Sequence, residues 1–80
     1  MNCKVYVQVD GRFTVEGQIL PQVVYWADGR RFVIDEIADI RPAASLKAGG
    51  AGIRYQVRIG GRETYLFLEE SRWFVEARRF

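Results

Sequence analysis

The sequence predicts an all-β protein: a small antiparallel barrel of about six strands, forming a single domain over residues 1–80. Three observations carry this. Apolar and polar residues alternate with a period of two along most of the chain. Tight-turn pairs containing glycine recur at the ends of those segments. The chain has only 80 residues, 49% of them apolar, so its short strands must curl. A flat open sheet of that size would leave one face and two edges exposed. Evenly spaced hairpins without a long crossover favour an SH3-like barrel over an OB-like one.

Cys3, Val5, Val7 and Val9 alternate with Lys4, Tyr6 and Gln8, the pattern of a half-buried strand. Asp10-Gly11 reads as a tight turn. Phe13 and Val15 then share one face of a second short segment, which Gly17 interrupts. Pro21 places the next stretch at an edge or a strand start. Val23 to Trp26 is an apolar run, and Asp28-Gly29 supplies the hairpin turn after it. The returning strand starts near Arg31 and continues, through a bulge at Asp35-Glu36, to Ile37 and Ile40. The spacing of Ile34, Ile37 and Ile40 also fits a helix, but β-branched content and the preceding hairpin favour strand.

Pro42 to Gly52 reads as the one long irregular stretch, with a turn of helix at Ala43 to Lys47 closed by Gly49. The clearest strand follows: Ile53, Tyr55, Val57 and Ile59 face one way, and Arg54, Gln56 and Arg58 the other. Gly60-Gly61 is a two-residue hairpin turn. Arg62 to Leu68 returns, Glu69 to Arg72 turns again, and Trp73 to Ala77 is the last strand before the tail Arg78-Arg79-Phe80.

The residues of catalysis are mostly missing. The chain has no histidine, which removes the commonest general base and metal ligand. Thr14, Ser45, Thr64 and Ser71 therefore have no histidine to activate them. Ser45 and Lys47 lie in an Ala/Gly loop with nothing near to depress the lysine pKa. Cys3, alone, makes no internal disulfide, and it falls on an apolar face where a thiol behaves as a small hydrophobe. Asp35, Glu36 and Asp39 read as solvated charges paired with Arg30, Arg31 or Arg41 rather than as a cation site. No enzyme activity, cofactor or metal is expected. No leader pattern and no apolar run near the ~20 residues of a membrane span are present, so a cytoplasmic protein is expected.

Two features point to binding. The loop from Lys47 to Gly52 is rich in glycine, whose backbone N–H groups can converge on an anion, and Arg41 and Arg54 flank it. It lacks phosphate-loop spacing. Arg54, Gln56 and Arg58, with Arg62 across the turn, form an arginine stripe on one sheet face. Small β-barrels hold single strands by joining such a stripe to exposed aromatics, for which Tyr6, Tyr25, Trp26, Tyr65 and Trp73 are candidates. The net charge is only +2, from ten arginines and two lysines against ten acids.

The strings Trp26-Ala27-Asp28-Gly29-Arg30-Arg31-Phe32-Val33-Ile34-Asp35 and Ala43 to Tyr55 resemble a group of short uncharacterised bacterial proteins. These share the tryptophan hairpin, glycine loop and Arg-Tyr strand, and the resemblance covers Pro21 to Glu76. It implies a small β-fold and no functional residues. Trp26, Gly29, Arg30, Arg31 and Trp73 are also similar to a looser set of small β-domains encoded beside translesion DNA polymerases.

The expectation is a non-enzymatic module that contacts nucleic acid or a nucleic-acid-handling protein. Arg41, Lys47, Gly49, Gly50, Arg54, Arg58 and Arg62 are its candidate contacts, and Trp26 and Tyr55 its aromatic support. The alternative is a protein–protein or self-association module, a homodimer with Phe80 and surplus aromatics at its interface.

Overall fold

A computed structural model describes residues 2–44 and 51–78. These residues form seven antiparallel strands: β1 (Asn2–Phe13), β2 (Ile19–Tyr25), β3 (Arg31–Val33), β4 (Glu36–Ala44), β5 (Ala51–Ile59), β6 (Arg62–Glu69) and β7 (Arg72–Arg78). They lie side by side in the order β3-β2-β1-β7-β6-β5-β4. The all-β, barrel-like expectation of about six strands holds; the strand expected from Arg31 to Ile40 is divided, its first three residues pairing with β2 as β3 and the part from Glu36 pairing with β5 as β4. No helix among the described residues is long and apolar enough to cross a membrane.

Two long stretches of chain change partners midway and so curl the sheet into a half-barrel. β1 pairs with β7 through Asn2–Val7, then with β2 from Gln8 to Phe13. β3 and β4 are the two edges of the sheet, yet only Ile34 and Asp35 separate them. The Ile34 N–H donates to the Gln22 carbonyl of β2 at 2.9 Å, and the Asp35 N–H to the Arg58 carbonyl of β5 at 2.8 Å. Consecutive residues thus bond to opposite ends of the strand order. A three-stranded part, β3-β2-β1, is thereby laid over a five-stranded part, β4-β5-β6-β7-β1.

The core fills the space between them. Tyr55 and Val57 have no exposed surface, Leu66 is 1% exposed, and Val24 and Leu68 complete the buried cluster. These are the inward positions of strands that alternate with period two. Burying each large side chain stabilises by about 1.5–3 kcal/mol. The Tyr55 phenol donates to the Ile19 carbonyl at 2.5 Å, tying β5 to β2 across the interior. Both glycines of the Gly60-Gly61 turn have positive φ, 58° and 80°. The mirror-image hairpin turn requires that at both central residues.

Three sequence expectations fail here. Asp10-Gly11 is no turn: β1 runs through to Phe13, with a bulge between Asp10 and Gly11. The extra residue is Gln22 on β2, and Gly11 takes no positive φ; a Cβ there would meet Ile19 at 3.3 Å, so this glycine serves the close approach of two strands rather than a turn. The turn lies at Thr14 to Gln18. Its ends are bonded Thr14 N–H to Gln18 carbonyl at 2.9 Å, and Thr14 Oγ1 accepts from the Gln18 N–H at 3.0 Å. Pro21 is buried opposite Gly11, beside the bulge and outside the Val23–Tyr25 ladder to β3, so its missing N–H breaks no pairing there. The bulge expected at Asp35-Glu36 falls instead between Ile37 and Asp39. Finally, the helical turn expected from Ala43 is displaced by strand, since Ala43 pairs with Gly52 and Ala44 with Ala51. Residues 45–50, the rest of that loop, lie outside the described residues.

Tyr55→Phe should cost about 1–2 kcal/mol in urea unfolding with an unchanged m value, because it leaves the Ile19 carbonyl unpaired. The same variant tests a pH effect. Burial holds the Tyr55 phenol above its ordinary pKa of 10.0. The neutral form is favoured in the folded state, so its contribution is whole below pH 10.0 and drains away as the pH rises beyond it. Tyr25 is also raised, chiefly by its hydrogen bond to Asp10, and titrates in both proteins. Tyr55→Phe should therefore lose stability less steeply in alkali than the parent; an identical slope would show that burial of the phenol has no such effect.

Candidate nucleic-acid interface

The alternation that sends Tyr55, Val57 and Leu66 inward sends their neighbours to the convex face of the five-stranded part. The register then aligns them across strands: Arg41 opposite Arg54, Arg54 opposite Phe67, Phe67 opposite Phe74, and Phe74 opposite Tyr6. One transverse row thus crosses all five strands, roughly 19 Å at about 4.8 Å per strand. Phe67 and Phe74 stack with centroids 5.0 Å apart and planes 8° from parallel, and Tyr6 meets Phe74 edge-on at 5.9 Å. Phe74 is only 6% exposed, covered from outside by its neighbours rather than by the core. Tyr6 and Tyr65 remain 47% and 44% exposed.

Cations sit over these rings. The Arg72 guanidinium is 3.8 Å from the Tyr6 centroid, Arg54 is 4.9 Å from Tyr65, and the Lys4 ammonium is 4.6 Å from Phe74. Such contacts favour both partners when a guanidinium lies flat on a ring face. Carboxylates answer two other cations on this face, and Lys4 besides its ring. Arg58 is held between Glu36 at 3.0 Å and Glu63 at 3.3 Å, Arg41 Nε lies 2.6 Å from Asp39, and Lys4 reaches Glu69 at 3.5 Å. Among the described residues, no carboxylate lies within 4.0 Å of the Arg54 or Arg72 guanidinium.

The arginine stripe is therefore only partly assembled. Arg54, Arg58 and Arg41 share the convex face, but Arg58 and Arg41 are neutralised by their neighbours. Arg62 does not belong to the stripe. The two-residue turn sets it opposite Ile59, an inward position, and sets Glu63 opposite Arg58. Tyr55 faces inward against Trp73, ring centroids 5.3 Å apart, and supports the core. Trp26 is half-buried at the mouth of a cavity of about 840 Å³ between the two parts of the sheet, with Val24, Phe32, Leu66, Val75 and Arg62. It is not part of the transverse row. Lys47, Gly49, Gly50, Ser45 and Phe80 lie outside the described residues.

Sequence reasoning passed over Lys4, Phe67, Arg72 and Phe74. The available signal was the pair of alternating segments Lys4-Val5-Tyr6 and Arg72-Trp73-Phe74, each putting a cation and an aromatic on one face.

The acids act structurally. Asp35 accepts from the Gly60 N–H at 2.8 Å, closing the β5–β6 turn. Asp28 accepts from the Arg30 N–H at 2.9 Å, the main reason its pKa is lowered, and also pairs with the Arg30 guanidinium. Among the described residues, no group of three acidic or thiol side chains converges as a metal site would. The chain matches no protein-family model, no curated protein and no solved structure.

Proposed function

We propose that the convex face of β4-β5-β6-β7-β1 binds single-stranded nucleic acid, as a binding module without a chemical step. The observation that supports this is the aromatic row with cations lying over its rings. Unpaired bases offer flat faces that stack on exposed aromatics and guanidinium planes, whereas a duplex hides those faces. Among the described residues Arg54 and Arg72 have no carboxylate partner, so a phosphate can recruit them without first breaking an ion pair. Stacking should carry more of the affinity than charge does, given that several cations are already neutralised. The similarity to small β-domains encoded beside translesion polymerases points the same way, and the lone Cys3 suits a reducing, cytoplasmic setting.

Fluorescence anisotropy with labelled single- and double-stranded oligonucleotides tests the reading. The single strand should bind more tightly. With Arg54 and Arg72 as phosphate contacts, log K should fall with log salt at a slope of about −1.4, and Arg54→Ala should reduce that slope by about 0.7. Tyr6→Ala and Tyr65→Ala should each weaken binding roughly 5- to 100-fold. Arg58→Ala, whose charge Glu36 and Glu63 already meet, should change it less than about twofold. No binding at low salt, or a preference for duplex, overturns the proposal.

A second reading has its own observation. Phe13, Val15 and Val33 are 75%, 102% and 52% exposed on the three-stranded part. A second copy, or a nucleic-acid-handling protein, would cover them. In that case sedimentation at high concentration should show a dimer insensitive to salt, abolished by Phe13→Ser with Val33→Thr. A monomer at every concentration would remove the homodimer.

A further inference from the structure

The sheet has an opening between two of its inner strands. β6 pairs with β5 along its whole length, Arg62–Glu69, and β7 pairs with β1 from Trp73 to Arg78. With each other, β6 and β7 pair only where Phe67–Glu69 meets Arg72–Phe74. Beyond Phe67 and Phe74 both strands continue, and their facing edges have no partner among the described residues. The cavity of about 840 Å³ lies behind this fissure. Thr64 and Leu66 of β6 and Val75 and Glu76 of β7 line it, together with Trp26 and Phe32.

Parity decides which backbone groups face the opening. Across the two-residue turn, Ile59 and Arg62 exchange both of their bonds, so Arg62, Thr64 and Leu66 are bonded to β5. The N–H and C=O of Glu63 and Tyr65 therefore point into the fissure, as do those of Glu76, two residues beyond Phe74. A row of unpaired strand groups is a template for another strand.

We propose that the fissure takes an extended segment of a partner protein as an added strand, antiparallel to β6, with alternating apolar and basic side chains. This site is separate from the nucleic-acid reading and does not rest on it. Main-chain bonds to Glu63 and Tyr65 hold the segment, and every second side chain enters the apolar cavity. The others lie on the outer side, which Glu63 and Glu76 border, since Arg62 belongs to the inner face. Glu76 makes no ion pair among the described residues. The register puts Lys4 opposite it, but the Lys4 ammonium is 3.5 Å from Glu69 and lies over the Phe74 ring. The outer side is thus left with a carboxylate that a basic side chain can meet. A strand of a second folded copy does not fit, because every described strand is already bonded to a neighbour that would collide with the opposite lip.

Hydrogen exchange and fluorescence polarisation on the full chain test this. In the free protein, the Glu63, Tyr65 and Glu76 amides should exchange at least about tenfold faster than those of Thr64 and Leu66. Equal protection would mean a closed fissure and overturns the proposal. The probe is a labelled, capped octapeptide of alternating valine and lysine, which should slow exchange at Glu63 and Tyr65. Paired residues share a face, so its lysines are the residues bonded to β6. Methylating the lysine backbone nitrogens should weaken binding at least about tenfold, the worth of one or two hydrogen bonds. An alternating valine–glutamate peptide should bind more weakly than the lysine one, and Glu76→Gln should narrow that difference. Binding indifferent to N-methylation overturns strand addition, and a preference for the glutamate peptide overturns the basic partner. Failure of both peptides to bind overturns the site. Protection of the same amides by dimer formation alone would give the fissure to a second copy, which also overturns the proposal.

Discussion

Two backbone hydrogen bonds, from Ile34 to Gln22 and from Asp35 to Arg58, govern the rest of this structure. Their donors are adjacent in the chain, and their acceptors belong to β2 and β5, near opposite ends of the strand order. Both bonds can form only if the sheet curls until its ends approach. The same need explains why β1 is long and changes partner near Gln8: a curled sheet needs a second corner where one strand serves both parts. Once the corners exist, inside and outside are defined for every strand. The interior then closes around Tyr55, whose phenol bonds to the Ile19 carbonyl at 2.5 Å. A buried hydroxyl left without a partner would cost more than the bond gains, so this residue disciplines the spacing between the two parts as well as filling volume.

The curl also sets the chemistry of the outer face. Phe67 and Phe74 are large apolar side chains pointing away from the core, and Phe74 is still 6% exposed because Tyr6, Phe67 and Lys4 close over it. Cross-strand pairing of this kind stabilises a sheet in its own right, by roughly 0.2–1 kcal/mol per pair. The row thus has a structural use before any ligand arrives. Tyr6 and Tyr65, about half exposed at its margin, are another matter: burying them further adds little to the fold, and their free faces are what a base could meet.

How far the sequence exposed this depends on the residue. The strand from Ile53 to Ile59 and the Gly60-Gly61 turn were legible because each rests on one local rule, period two and positive φ. Arg62 was also legible in principle. A two-residue turn at 60–61 pairs Ile59 with Arg62, so parity alone puts Arg62 on the inner face, away from Arg54 and Arg58. Asp10-Gly11 was not, since the pair has the composition of a turn, whereas Gly11 takes no positive φ and only the position of Ile19–Tyr25 across the sheet shows the close approach it serves. Phe67 and Phe74 were hidden for a different reason. An apolar aromatic in a small chain is read as core by default, and its place outside depends on a register between β6 and β7 that no local pattern announces.

The arginines divide by what answers them. Arg30, Arg41 and Arg58 each have a carboxylate within 3.0 Å, supplied either two residues away along the chain or directly across a strand pair. Exposed pairs of this sort add little stability, but they occupy the cation and neutralise its field. Arg54 and Arg72 have aromatic faces instead. A ring quadrupole attracts a guanidinium without cancelling its charge, so these two stay positive and available in a protein whose net charge is only +2. Total charge is therefore a poor guide to what this surface can hold. What matters is that Arg54 and Arg72 lie over rings without an acid beside them among the described residues, next to the exposed aromatics Tyr65 and Tyr6.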